Sequence, residues 1–178
     1  ARSEKAIQQA NEKGANHICV YVPEKGELTR HEVDAKFKEQ LTDALKNDKF
    51  TLHYQPIVSL HGDTDERYEV FVRMQSEDNE SVIMPQDFLP AAERIGMAIA
   101  IDRWVLYRAI QDVLERHQKG KQTHFFIKLS AASIKDETLI EWISFQIKDK
   151  GIQKHWLVDN GFPTLPHRLI TGADTDAA

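Results

Sequence analysis

The chain has 178 residues, of which 41% are hydrophobic and 29% are charged, a composition that supports a packed core and excludes a chain that is disordered throughout. The net charge of -5 argues against binding a nucleic acid polymer through a broad basic surface. The single cysteine, Cys19, excludes an intrachain disulfide, and no apolar run reaches the roughly 20 residues that span a bilayer.

The first predicted elements suggest that the chain begins inside a longer protein. Residues 1–14 lack an initial Met and have the polar pattern of a helix that ends at Gly14, not that of a signal peptide. Residues 17–23 predict a short strand. A second helix begins at a capping box formed by Thr29 and Glu32. Its apolar stripe consists of Val33, Phe37, Leu41 and Leu45.

Two strand patterns follow, separated by a loop. Residues 51–60 predict a strand at a sheet edge, because Pro56 cannot donate a hydrogen bond to a neighbouring strand. Residues 66–74 alternate with period two, and their apolar face consists of Tyr68, Val70, Val72 and Met74. The opposite face carries Glu69, Phe71 and Arg73. At about 3.3 Å per residue the two charges of that face lie roughly 13 Å apart, so they do not pair with each other.

The second half of the chain alternates helices and strands. A short helix ends at Gly96, a long helix ends before Gly120, and another helix ends at Gly151. The stripe of the long helix includes Ile101, Val105, Ala109 and Val113. Strands are predicted at 123–130 and 155–158, and this alternation predicts an α/β fold with parallel strand pairing.

Several of these segments together resemble an EAL domain. They are FTLHYQPIVSL, YEVFVRM, FLPAAERIG, AIDRWVL and FIKLSAASI, in the order and at the approximate spacing of that family. The resemblance implies an incomplete TIM-type (β/α) barrel from a protein that binds or hydrolyses cyclic di-GMP, because a complete barrel typically has about 250 residues. The expected divisions are a GGDEF-like remnant (1–28), a connecting helix (29–49), the first half of an EAL-like domain (50–158) and an irregular tail (159–178).

The resemblance also implies a set of ligand-binding residues. Active members carry Glu-Ala-Leu followed two residues later by arginine, and Glu69, Phe71 and Arg73 occupy the first, third and arginine positions here. Glu69 is thus at the family's metal-ligand position, and Arg73 is expected near a phosphate. Phe71 is expected to stack on a guanine. Gln55 and Asp102 match residues beside the ligand, with Asp102 accepting hydrogen bonds from a guanine edge.

Lys128 is the decisive departure from the family pattern. The resemblance implies an asparagine oxygen on the metal at this position, but a charged lysine ammonium has no lone pair for Mg²⁺ or Mn²⁺. The later motifs of the family, including its catalytic lysine, are also absent. We therefore expect no bound metal, no catalysis, and a salt bridge between Glu69 and Lys128 in the place of the ion. Mg²⁺ or Mn²⁺ is expected only under the alternative of a fragment from an active cyclic di-GMP phosphodiesterase.

The EVF variant of the motif, the extended loop SLHGDTDERYEV and the lost asparagine together resemble non-catalytic receptors of the FimX-like group, degenerate GGDEF–EAL proteins tied to type IV pilus assembly and twitching motility. The similarity implies a bacterial cytoplasmic protein that senses cyclic di-GMP and signals to a PilZ-type protein. A further alternative is a structural remnant that binds nothing. Homo-oligomerisation is also expected if the incomplete barrel leaves a strand edge and an apolar face uncovered.

Each site residue also has a simpler explanation. Asp102 near the start of a helix is favoured by the helix dipole, and Phe71 alone is more typical of a core. Arg73 by itself suggests an ordinary salt bridge, Gln55 a contact to local backbone, and Lys128 a side chain that extends to the rim of the fold.

Overall fold

The computed structural model describes residues 7, 8, 10–12, 18, 28–58, 62, 65–76, 80–153 and 156–159. Most of the GGDEF-like remnant lies outside the described residues, as does the strand predicted at 17–23 except for residue 18 and the predicted tail except for residue 159. The described residues within 1–14 are helical, as the sequence predicts. In the described ranges no helix is both long and apolar enough to cross a membrane.

The remaining described elements alternate largely as the sequence predicts. In chain order they are α1 (Arg30–Lys46), β1 (Phe50–Ile57), β2 (Glu66–Gln75), β3 (Val82–Ile83), α2 (Pro85–Arg94), α3 (Ala98–Gln118), β4 (Thr123–Ile127), α4 (Ala131–Ile134), α5 (Glu137–Asp149) and β5 (Leu157–Asp159). The short elements β3 and α4 are not predicted by the sequence patterns.

The strands form one sheet in the order β1-β2-β4-β5, with β3 paired to β2. The predicted parallel pairing is confirmed for β2 with β4 and for β4 with β5. It is wrong for β1, which runs antiparallel to β2. The connection between β1 and β2 is residues 58–65, which is shorter than the dozen or more residues that a parallel crossover needs. As Pro56 suggests, β1 is an edge strand of the described sheet.

Local signals set the ends of the helices. The capping box at the start of α1 is confirmed: the Thr29 N–H donates to the Glu32 carboxylate at 2.7 Å, and the Glu32 N–H donates to Thr29 Oγ1 at 3.2 Å. At the other end of the chain, α5 is followed by Gly151 with φ of 63°. That conformation is strained for other residues, so a glycine is suited to this turn into the next segment.

The core lies between the sheet and the helices. The predicted stripe of α3 is buried, and the apolar face of β2 belongs to the same buried cluster through Val70, Val72 and Met74. Phe125 and Ile127 continue this face in β4. Because side chains alternate along a strand, burial of this face directs Glu69, Phe71 and Arg73 to the opposite side of the sheet.

Charged and polar side chains form a cluster around Glu66 at the start of β2, and acid should weaken this cluster. Glu66 accepts from Lys121 Nζ at 3.1 Å, from Thr123 Oγ1 at 3.2 Å and from Arg116 Nη1 at 2.7 Å. The hydrogen bond from Lys121 and, after it, that from Thr123 lower the pKa of Glu66 below its ordinary value of 4.5. A carboxylate whose pKa is lower in the folded than in the unfolded protein stabilises the fold at pH values above its unfolded pKa. This stabilisation is lost as the pH falls through the folded pKa.

We therefore expect Glu66→Gln to flatten the loss of stability between about pH 6 and about pH 3, measured by urea unfolding at each pH. Glu115→Gln, which removes an exposed pair with Lys119, is the matched control and should change the slope less, because exposed ion pairs contribute little. Equal slopes in the wild type and in Glu66→Gln would contradict this prediction.

Candidate functional site

The predicted site residues of β1 and β2 share the sheet face that is turned away from the core. The strand register pairs Gln55 with Glu69, His53 with Phe71 and Thr51 with Arg73. On the other side of β2, Val70 pairs with Ile127, so Lys128 follows directly after β4 at the level of Phe71. We call the six paired residues together with Lys128 the open face. Arg73 and Lys128 lie towards the carboxyl ends of their strands, the end at which (β/α) barrels bind ligands.

The predicted salt bridge between Glu69 and Lys128 is confirmed. Lys128 Nζ lies 2.5 Å from Glu69 Oε1, and the side chain of Glu69 is 19% exposed whereas that of Lys128 is 58% exposed. Within the described residues, Oε1 is buried and accepts no hydrogen bond of good geometry. The ammonium is therefore the main compensation for a carboxylate oxygen that has lost its water.

Phe71 lies beside two cations. The Arg73 guanidinium carbon is 5.6 Å from the centre of the Phe71 ring, and Lys128 Nζ is 5.7 Å from it. Both distances fall within the range of a cation–π interaction. Arg73 Nη1 also donates to the carbonyl of Val72 at 2.8 Å. Phe71 is only partly buried, so its ring is not an ordinary core side chain.

Two exposed residues of β1 complete the open face. Gln55 is exposed and lies directly across from Glu69. Its predicted contact with the ligand stays a prediction. His53 is exposed across from Phe71 and was not predicted from the sequence. The signal was present, because His53 precedes Gln55 by two residues and therefore shares its face.

Asp102 is buried in α3 and connects that helix to the segment after β4. Its Oδ2 accepts from the Ser130 N–H at 2.8 Å and from the Ser133 hydroxyl at 2.6 Å. Asp102 lies beyond the first turn of α3, so the helix dipole alone does not explain it. Its predicted contact with guanine is untested, but its scaffold role is clear: it holds the backbone two residues after Lys128.

A family model described as the EAL domain matches residues 38–158, which is more than half of the chain. The chain belongs to the EAL domain family. The α/β class and the incomplete TIM-type barrel follow from this match and from the similar solved structures.

Three relatives illustrate the similarity. The FimX EAL domain from Pseudomonas aeruginosa bound to c-di-GMP is 35% identical with a TM-score of 0.63, over 68% of this chain and 48% of that one. The Xanthomonas citri FimX EAL domain in complex with c-di-GMP is 32% identical with a TM-score of 0.63, over 71% of this chain and 49% of that one. Cyclic di-GMP phosphodiesterase PdeR of Escherichia coli (strain K12) is 30% identical over 134 residues, 75% of this chain and 20% of that protein.

The chain thus spans about half of the FimX EAL structures and about a fifth of PdeR. It is an EAL domain that these relatives match over part of their length.

The residues at the metal position of this EAL domain do not fit a divalent cation. Glu69 is one carboxylate, and its buried oxygen already faces the Lys128 ammonium. Among the residues that the structure describes, no group of three or more His, Cys, Asp or Glu side chains could hold a metal ion. Mg²⁺ and Mn²⁺ require several oxygen ligands, and a lysine at the same place repels them.

Proposed function

We propose that this EAL domain is a receptor that binds cyclic di-GMP on the open face without a metal ion and does not hydrolyse it. The observation that supports this most directly is the Lys128 ammonium 2.5 Å from Glu69. Metal-assisted hydrolysis of a phosphodiester needs a bound ion that activates water, and a tethered ammonium cannot take that role.

The chemistry of the open face suits the proposed ligand. Cyclic di-GMP carries two anionic phosphodiesters and two guanines. Arg73 and Lys128 supply the cations, and a guanidinium binds phosphate oxygens through pairs of N–H groups. Gln55 offers an amide on the same face, across from Glu69, and the Phe71 ring is partly exposed. Two FimX EAL domains that share the fold at more than 30% identity are bound to c-di-GMP in their solved structures, which supports the same ligand class here.

The alternative is a fragment of an active cyclic di-GMP phosphodiesterase. Its support is the 30% identity to PdeR over 75% of this chain. Under this alternative Mg²⁺ or Mn²⁺ would bind at Glu69, and a residue other than Lys128 would complete the ligand set. The two functions therefore differ in a measurable requirement for metal.

We expect saturable binding of cyclic di-GMP by calorimetry with the same affinity in Mg²⁺ and in EDTA, and no linear dinucleotide by chromatography after incubation with Mg²⁺ or Mn²⁺. Cyclic di-AMP is the matched control ligand, since adenine lacks the adjacent N1–H and 2-amino donors of the guanine edge. Turnover to the linear product would establish the phosphodiesterase alternative. No binding of either dinucleotide would favour the third alternative, a remnant with no ligand.

A PilZ-type partner, a part in type IV pilus function and a cytoplasmic location remain predictions. We propose them because the EVF variant that includes Phe71, the extended loop before it and the loss of the asparagine at Lys128 together resemble the FimX-like group.

A further inference from the structure

We propose that Glu69, Phe71 and Lys128 act as one unit, in which Lys128 supplies a fixed positive charge for an anionic phosphodiester and Phe71 holds that charge in position. This inference rests on the proposed function for the identity of the ligand. It goes further in assigning Phe71 to the positioning of cations instead of to the stacking of a base.

The first observation concerns the carboxylate. Glu69 Oε1 is buried without a hydrogen bond of good geometry in the described part of the chain, and Lys128 Nζ is 2.5 Å away. An unpaired buried charge is costly, so Glu69 retains the ammonium. The Lys128 side chain is still 58% exposed, so a ligand can reach it.

The second observation concerns the ring. Phe71 is 5.7 Å from Lys128 Nζ and 5.6 Å from the Arg73 guanidinium carbon. An aromatic face attracts a cation, whereas a leucine in the same place offers only apolar contact. The lysine is thus held by a carboxylate on one side and by a ring on another, and the two changes from the family motif belong to one arrangement.

The consequence is an open face with more positive than negative side chains and no metal ion. Arg73 and Lys128 outnumber Glu69, and the acidic side chain is used to hold one of the two basic ones. Such a face attracts a phosphodiester anion and repels Mg²⁺ and Mn²⁺. Because the charge is covalently attached, chelators do not remove it.

A double-mutant cycle tests the link between Phe71 and Lys128. We expect Phe71→Leu to weaken cyclic di-GMP binding in EDTA by about two- to fivefold in the wild type, which matches the usual strength of an exposed cation–π contact. In the Lys128→Met background the same substitution should weaken binding by a clearly smaller factor. Lys150→Met, which alters a lysine 5.9 Å from the Tyr107 ring on the helical side, is the control and should leave the affinity unchanged. Equal factors in both backgrounds would overturn the proposal, because Phe71 would then act independently of Lys128, through Arg73 or by base stacking.

A second cycle needs no ligand and therefore separates this inference from the proposed function. We expect Lys128→Met to raise the equilibrium constant for unfolding by about fivefold in the wild type, at the upper end for a partly exposed pair, and to have little effect in Glu69→Gln.

Titration with Mn²⁺ alone, followed by electron paramagnetic resonance, should give equal binding by the wild type and Glu69→Gln. An equal effect of Lys128→Met in both backgrounds, or Mn²⁺ binding that is lost in Glu69→Gln, would overturn the unit even if the dinucleotide binds. If the dinucleotide does not bind while the unfolding cycle shows coupling, the pairing of Glu69 with Lys128 stands and the proposed function fails.

Discussion

Replacing Asp102 by alanine is expected to lower the free energy of unfolding by about 2–3 kcal/mol. This is the usual loss when hydrogen bonds to a charged acceptor are removed and buried donors are left unsatisfied. Asp102 is buried, and its Oδ2 accepts from the Ser130 N–H and the Ser133 hydroxyl. In the alanine variant both donors lose their acceptor, and Ser133 is itself buried. Urea unfolding of the variant and the wild type measures the difference.

Two matched variants separate the scaffold role of Asp102 from contact with guanine. Ser133→Ala removes one donor and leaves the carboxylate in place, so we expect a loss of about 1 kcal/mol or less. Asp102→Asn retains an oxygen acceptor and should be more stable than Asp102→Ala. If Asp102→Ala unfolds like the wild type but no longer distinguishes cyclic di-GMP from cyclic di-AMP, Asp102 contacts the ligand and the scaffold interpretation is wrong.

Much of the fold could be predicted because its signals are local. The capping box at Thr29 depends on residues within one turn, the stripe of α3 depends on apolar residues repeated every four positions, and both are confirmed. The direction of β1 could have been predicted from the short connection to β2, which indicates antiparallel pairing. The alternation of helices and strands along the rest of the chain indicated parallel pairing instead, and the prediction followed that pattern. The strand β3 is only Val82–Ile83, and so short a strand forms through its pairing with β2, which no local pattern reveals.

The site was only partly predictable, for a similar reason. The alternation of β2 correctly put Glu69, Phe71 and Arg73 on one face, and the family resemblance correctly brought Lys128 to Glu69. The hydrogen bonds from Ser130 and Ser133 to Asp102 span 28 and 31 residues of sequence. Such bonds depend on how α3 packs beside the segment after β4, so a sequence pattern could identify Asp102 as unusual but not name its partners.

Replacing Arg73 by alanine is expected to weaken cyclic di-GMP binding by about 10- to 100-fold, the loss that follows from removing a charge-assisted hydrogen bond to a phosphate. Arg73 uses Nη1 on the carbonyl of Val72, and a guanidinium has five N–H donors, so donors remain for a phosphate. The bond to the backbone and the nearby Phe71 ring hold the guanidinium in position, which lowers the entropy lost on binding. Calorimetry in EDTA measures the affinity.

Arg67→Ala is the matched control, because Arg67 lies on the same strand and the same face but six residues from Arg73, at the other end of β2. At about 3.3 Å per residue the two positions are roughly 20 Å apart, so a ligand held at the carboxyl end of the strands does not depend on Arg67. Arg73→Lys retains the charge but loses the paired donors, and its affinity should lie between those of the wild type and Arg73→Ala. Equal losses for Arg67→Ala and Arg73→Ala would mean that the ligand is attracted by overall charge alone, and the assignment of a phosphate to Arg73 would then be wrong.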